Sequence, residues 1–298
     1  MSKSVSTSTD KRYGLAMVCR VWGMSRATVH RHIHRPQAAN CNRRRPGPVG
    51  AMPDAELVIK IKDLLGSTPF HGEGYRKVWA RLRHNGTRTS PKRVLRLMRE
   101  NSLLVFQRRG AAKGPRAHDG TISTAQVDEM WGTDMTSIAI GEGNAAVFIA
   151  VDHCSVECIG IHASLKATRH EALEPIRQGV RRCFGSFEAG AAGGLKIRHD
   201  HGSQYMSRDF QAEIKFLGAE SSPSFVRSPE GNGCAERFIR TLKENLLWIR
   251  RFDTIEELRT ALLEFQETYN SQWIVQKNRY LTPNQVRTNQ KSNLKIAA

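Results

Sequence analysis

The sequence predicts an α/β protein in which a mixed five-stranded sheet with flanking helices follows an all-α amino-terminal region that opens on a helix-turn-helix-like segment. Two observations lead there. The apolar pattern is helical through residues 14–105 and changes near residue 126 to short strands alternating with helices. Positive charge is confined to the front, with 25 Lys and Arg against 6 Asp and Glu in residues 1–118, but 21 against 22 in residues 119–298. Length supports more than one domain, because 298 residues can bury two or three cores. The expected boundaries are a helix-turn-helix-like segment at 1–42, a linker at 43–53, a second helical domain at 54–106, a basic linker at 107–125, the sheet-containing core at 126–290 and a tail at 291–298.

Residues 14–34 read as two helices around a tight turn at Gly23, the second capped by Ser25 and projecting Arg26, Thr28, His30 and Arg31. That order resembles a helix-turn-helix with its recognition helix second. Pro46, Gly47, Pro48 and the run 43–45 of three arginines mark the first linker. The second helical unit comprises 54–65, 74–84 and a third helix that Ser90 caps and Pro91 starts. Val94, Leu95, Leu97 and Met98 face its core, and Lys92, Arg93, Arg96 and Arg99 face outward as a surface for phosphates.

Three strands follow at 131–138, 145–152 and 157–163, joined by tight connections that include Gly141, Gly143 and Asn144. A helix at 169–184, a strand at 195–199, a helix at 207–217 and a short strand at 219–224 complete a mixed sheet of ribonuclease H type. Helices at 232–250 and 254–271 close the chain. In the first of these, Ala235, Ile239, Leu242, Leu246 and Ile249 form one apolar stripe, and Asn232, Glu236, Arg240 and Lys243 a polar stripe beside it. Trp131 and Trp248 are expected in the core.

A net charge of +18 points to a polyanionic partner or an acidic membrane surface, and its confinement to the helical front reads as a nucleic-acid-binding module attached to another domain. The longest apolar run, 145–151, is too short for a bilayer, and the first ten residues lack a signal-peptide pattern. The expectation is a cytoplasmic protein with no membrane partner. Six cysteines at 19, 41, 154, 158, 183 and 234 show no paired framework, so no disulfides are expected. Neither His30, His32, His34 and Cys41 nor His153, Cys154, Cys158 and His162 has the paired spacing of structural zinc ligands.

Three acidic residues stand out by position. Asp134 lies within a strand of the central sheet, where a carboxylate is costly unless paired or metal-bound. Asp200 follows a strand directly, where open α/β sheets place their sites. Glu236 sits on the polar stripe of its helix. Phosphodiester cleavage and transfer need an activated oxygen, a neutralised phosphate and a stabilised leaving oxygen, which two magnesium ions supply when hard carboxylate ligands hold them.

These residues and their surroundings resemble the bacterial insertion-sequence transposases with a retroviral-integrase-type core and an Asp-Asp-Glu triad. The motifs are Trp131-Gly132-Thr133-Asp134-Met135-Thr136, Asp200-His201-Gly202-Ser203-Gln204-Tyr205 and the stretch 232–243. The last two acids are separated by 35 residues. Gly74-Tyr75-Arg76 and the stretch 93–98 extend the resemblance over roughly 54–290.

The resemblance implies a ribonuclease H fold and metal-dependent cleavage at element ends followed by strand transfer through transesterification. It also implies a homo-multimer that pairs two ends in the bacterial nucleoid, and in some relatives a circular intermediate or a frameshift partner. By the same resemblance Asp134 bridges two Mg²⁺ ions, for which Mn²⁺ substitutes, and Asp200 and Glu236 each complete one site. Lys243 seats the terminal DNA phosphates. Arg240, Asn232 and Arg237 join it as candidate DNA contacts, with Arg26, Thr28 and Arg31 of the front segment and Arg93 and Arg96 of the second helical unit, at element ends and target DNA. His201 and Gln204 either line the site or close its loop. Two departures are visible: His199 stands where relatives commonly have Ser or Thr, and Gln272-Trp273-Ile274 where many have Arg-Pro-His. A nuclease without strand transfer and an inactive DNA-binding repressor of element ends are the alternative functions.

Overall fold

The computed structural model describes residues 4–33, 52–105, 122, 124–224 and 232–297. His34, Cys41 and most of the two expected linkers lie outside them. The chain divides into two compact units, Met1–Ala51 and Met52–Ala298.

In the first unit, α1 (Leu15–Val21) and α2 (Arg26–Ile33) flank a turn in which Gly23 takes a left-handed φ of 61°. Ser25 caps α2 as expected, its Oγ accepting from the Thr28 N–H at 3.2 Å.

The second unit opens with three helices, α3 (Asp54–Ser67), α4 (Tyr75–His84) and α5 (Pro91–Glu100). Leu57, Ile61, Leu64, Val78, Leu82, Val94, Leu97 and Met98 form their core. Ser90 caps α5 by accepting from the Arg93 N–H, with Pro91 in the first turn. Leu95 is only partly buried.

The sheet runs β3-β2-β1-β4-β5. β1 (Met130–Ile140), β2 (Gly143–Asp152) and β3 (Cys158–Ser164) are antiparallel, and β4 (Lys196–His199) and β5 (Glu220–Pro223) continue parallel to β1. The two-residue period of β1 divides its side chains between the faces. Trp131 joins Phe148 and Ala150 in a core beneath α6 (Arg169–Phe184) and α7 (Arg208–Phe216). Asp134, paired in register with Ile149, lies on the other face with Val147, Ile149 and Val151, covered by α8 (Gly233–Leu242) and α9 (Ile255–Gln272). Helix α6 lies so close on β3 that a Cβ on Gly160 would fall 2.1 Å from the Pro175 carbonyl oxygen.

Two expectations fail at the end of α8. The helix passes into a π-helical segment, Lys243–Leu247, whose wider turn rotates everything after it. Leu247 is therefore buried, whereas Ile249, expected on the apolar stripe, is 53% exposed, and Trp248, expected in the core, is 60% exposed. A final helix, α10 (Pro283–Ala297), was not expected, and it runs through the expected core boundary at 290 and residues 291–297 of the expected tail. Thr282 and Gln285 start it as a reciprocal capping box, with Pro283 in its first turn.

The helical unit is docked on the core. Phe70 belongs to the core cluster and meets Trp273 edge-on at 4.8 Å, the His71 N–H donates to Asn245 Oδ1 at 2.8 Å, and Arg81 donates to the Gln272 carbonyl at 3.1 Å. Trp273 thus has a structural use at this seam. No helix among the described residues is long and apolar enough to cross a membrane.

Candidate active site

The three carboxylates come from three elements: β1, the end of the adjacent strand β4, and α8, which packs on the sheet. Asp134 is held mid-strand by its pairing with Ile149 of β2, just beyond the stretch of β1 that pairs with β4, and its Oδ1 accepts from the Met135 N–H at 2.8 Å. Asp200 leaves the end of β4, next to β1, and its Oδ1 accepts from the Gly202 N–H at 2.8 Å, which closes the loop as an Asx turn. Glu236 lies on the exposed side of the first turns of α8, whose buried residues Ala235, Phe238 and Ile239 pack against the sheet.

Electrostatics tie the three together. Burial pushes the Asp134 carboxyl up to about 6, against the pull of the Met135 N–H; the charges of Asp200 and Glu236 raise it further, and Lys243 opposes them. Asp134 therefore stands within the field of both other carboxylates and of Lys243. Among the described residues no three His, Cys, Asp or Glu side chains converge as a ready-made metal cage. The donor set nonetheless fits a divalent cation. It consists of hard oxygen ligands alone, from separate elements, and the half-buried Asp134 carboxylate, destabilised first by burial and then by its acidic neighbours, would be relieved by added positive charge.

His199 is fully buried. Its Nδ1 donates to the Asp200 carbonyl at 2.6 Å, its Nε2 accepts from Ser221 Oγ at 2.8 Å, and its ring stacks on Tyr205 at 5.6 Å. It thereby fixes the start of the Asp200 loop to β5. His201 is exposed, and Gln204 lines an open cavity of about 450 Å³ beside Asp200 together with Thr168, Arg169, His170, Ser203 and Ser207. Sequence reasoning passed over Thr168, Arg169 and His170. The capping pattern of Thr168 ahead of Glu171 was the available signal, and the structure uses it as a cap.

The candidate DNA contacts differ in availability. Lys243 is half-buried and faces Asp134 electrostatically. Arg237 and Arg240 are exposed, the latter paired with Glu244 at 2.8 Å, a surface pair that a phosphate can readily replace. Arg26 and Arg31 are exposed on α2, and Thr28 Oγ1 turns to Ser25 Oγ at 3.3 Å. Arg93 and Arg96 both bind Asp54, at 2.7 and 2.5 Å, and Arg96 also binds Glu100, so much of their charge is already matched. Asn232 corrects the expected polar stripe: it is buried, and its amide donates to the Thr133 carbonyl at 2.9 Å instead of facing DNA.

An integrase core domain matches residues 124–229 and a second integrase core domain matches 217–283, together more than half of the chain, and an HTH-like domain matches 72–111. The chain is 28% identical over 244 residues to the transposase InsD of insertion element IS2A/D/F/H/I/K of Escherichia coli, covering 80% of this chain and 78% of that protein. The InsD transposase of element IS2-9 of Escherichia coli strain K12 matches at the same identity over 80% and 77%. Among solved structures, the catalytic core domain of BIV integrase shares 17% identity at a TM-score of 0.43, over 56% of this chain and 99% of that one.

Proposed function

The chain belongs to the insertion-sequence transposases with an integrase-type catalytic core, and on that premise we propose that Asp134, Asp200 and Glu236 are its catalytic carboxylates and hold two magnesium ions, for which manganese substitutes. The reaction is that of a polynucleotidyl transferase: cleavage at element ends and transfer of the freed strand to target DNA. One observation carries the site assignment, the half-buried carboxyl of Asp134 on which the fields of Asp200, Glu236 and Lys243 converge.

Divalent cations held there would neutralise the scissile phosphate, activate the attacking oxygen and stabilise the leaving one. The chain's own residues do the rest. Asp134, anchored through β1 and by the Met135 amide, offers a ligand that does not move with the surface. Lys243 places a cation beside it for a terminal phosphate, and Arg237 and Arg240 extend that charge along the exposed face of α8. The cavity next to Asp200 gives a second strand room among hydroxyl, amide and cationic donors. DNA is further held by Arg26, Thr28 and Arg31 of α2 and by the outer face of α5, and two or more copies bring two element ends together.

The test is strand cleavage and joining on DNA carrying the element ends, in Mg²⁺ or EDTA, for the wild type, Asp134→Asn and Glu236→Gln. Joined product is expected from the wild type with Mg²⁺ alone, and a loss of about 10³-fold or more from each variant, as for other groups that act as a unit. Joining that survives in either variant would reject the assignment, and cleavage without joining would indicate a nuclease.

A further inference from the structure

Asn232 is the N-cap residue of α8, yet its side chain makes no capping bond. Asparagine is favoured at that position because its oxygen accepts from the first free N–H groups of the helix. Here the amide reaches across to β1 instead, Nδ2 donating to the Thr133 carbonyl at 2.9 Å. Local helix stability is forgone for a bond between two elements.

The two ends of that bond are placed tellingly. Thr133 immediately precedes Asp134, and Asn232 lies four residues, about one helical turn, before Glu236. The chain also makes room for the bond. Gly132 has no side chain, and a Cβ there would fall 2.7 Å from Asn232 Oδ1 and 2.8 Å from His153 Nε2. His153 walls the other side of this notch and is itself fixed. Its N–H donates to the Met130 carbonyl at 2.9 Å, its carbonyl accepts from Lys277 Nζ at 2.7 Å, and its Nδ1 meets the Ile122 carbonyl at 3.2 Å. Asn232 and His153 are 6% and 1% exposed, so neither meets DNA directly.

We propose that Asn232, seated in the Gly132 notch against His153, is a positioning residue for cleavage and joining that fixes the separation of Glu236 from Asp134. The proposal rests on the reading that these two carboxylates bind metal. A ligand helix released from its strand would still fold and still present Glu236, but at a looser distance, and lost outer support of this kind typically costs ten- to a hundredfold in metal affinity.

The discriminating variant is Asn232→Ser, since serine caps a helix as well as asparagine but is too short to reach Thr133. Gly132→Ala displaces Asn232 without removing it. Both would be studied in the full chain by calorimetric titration with Mn²⁺ alone, by thermal melting without metal, by affinity for element-end DNA in EDTA, and by joining across a Mn²⁺ series. For Asn232→Ser we expect a melting temperature within a few degrees of wild type, DNA affinity within about twofold and a Mn²⁺ dissociation constant raised roughly tenfold. Joining should fall at low Mn²⁺ and recover at high Mn²⁺. Gly132→Ala should weaken Mn²⁺ binding in the same direction. Wild-type Mn²⁺ binding in Asn232→Ser overturns the proposal, as does a fall in DNA affinity with metal binding intact, which would make Asn232 a DNA contact. Asp134→Asn serves as the control: if it too binds Mn²⁺ like the wild type, the carboxylate assignment itself fails.

Discussion

At the scale of single residues, Asp134 is held in a place that works against its own charge. Its carboxyl is pushed up to about 6, above the value it has in an unfolded chain, so the folded protein retains a proton that the unfolded chain releases. The stability tied to that proton is complete below about pH 4 and is lost as pH rises through 6. In EDTA near pH 7.5, Asp134→Asn should therefore melt higher than the wild type, by of the order of 2 kcal/mol, with the difference vanishing near pH 4. Thermal melts at the two pH values check this, and an equal or lower melting temperature for the variant at the higher pH contradicts it. A carboxylate that weakens its own fold until something positive binds is what a cation-binding residue should be. Asp134 was legible from the sequence because a charge inside an apolar strand is conspicuous. Asn232 was not, because its place on the polar stripe of its helix read as a DNA contact, and only the fold brings Thr133 within its reach.

At the scale of elements, strands and helices were readable wherever a single period held. α6 was expected at 169–184 and occupies Arg169–Phe184, with Thr168 and Gly185 as its stops. The period misled at the end of α8, where a π-helical segment shifts the phase and exchanges Leu247 for Ile249 in the core. Asn245 marks the place, since its side chain bonds the Thr241 carbonyl and the His71 N–H, contacts that no single-helix pattern contains. α10 was missed although its capping box stands in the sequence, because its polar composition lacks a marked apolar stripe. On α5 the outward basic face was readable, but its partner was not. Asp54, from the start of α3, engages both Arg93 and Arg96, and these arginines hold its carboxyl below the usual carboxylate range. Asp54→Asn releases Arg93 and Arg96 from that carboxylate, although Arg96 keeps Glu100, and should tighten binding to nonspecific duplex DNA and steepen its salt dependence by about one counterion. Fluorescence anisotropy across a salt series measures this, and an unchanged slope would show that α5 faces away from the phosphates.

At the scale of the whole second unit, the helical domain and the core meet through a seam that carries a buried cation. Lys77 Nζ lies 2.7 Å from the centre of the Trp273 ring and has no hydrogen-bond partner among the described residues. Burial pushes it down to about 7, against the pull of Glu73. Its charge is thus disfavoured in the folded state, and stability should rise with pH between about 7 and 10, where the unfolded chain still holds a proton that the folded protein has released. Lys77→Met should melt higher than the wild type near pH 7 and lose that rise, as scanning calorimetry over the range would show. A parallel pH dependence in the variant would assign the effect to other groups. The change of period and charge between the helical part and the sheet part was visible in sequence, whereas their seam was not, since Phe70, Lys77 and Trp273 each look like ordinary residues of their own helices and turns.

That seam also makes the molecule a ruler. Phe70, His71 and Arg81 grip Trp273, Asn245 and Gln272, and Asn245 lies on the continuation of the helix that bears Glu236. Any base pairs held by the helical domain are consequently counted off at a set span from the carboxylates. On the proposed function, the phosphate that is cut would then be chosen by length along the duplex as much as by the letters around it.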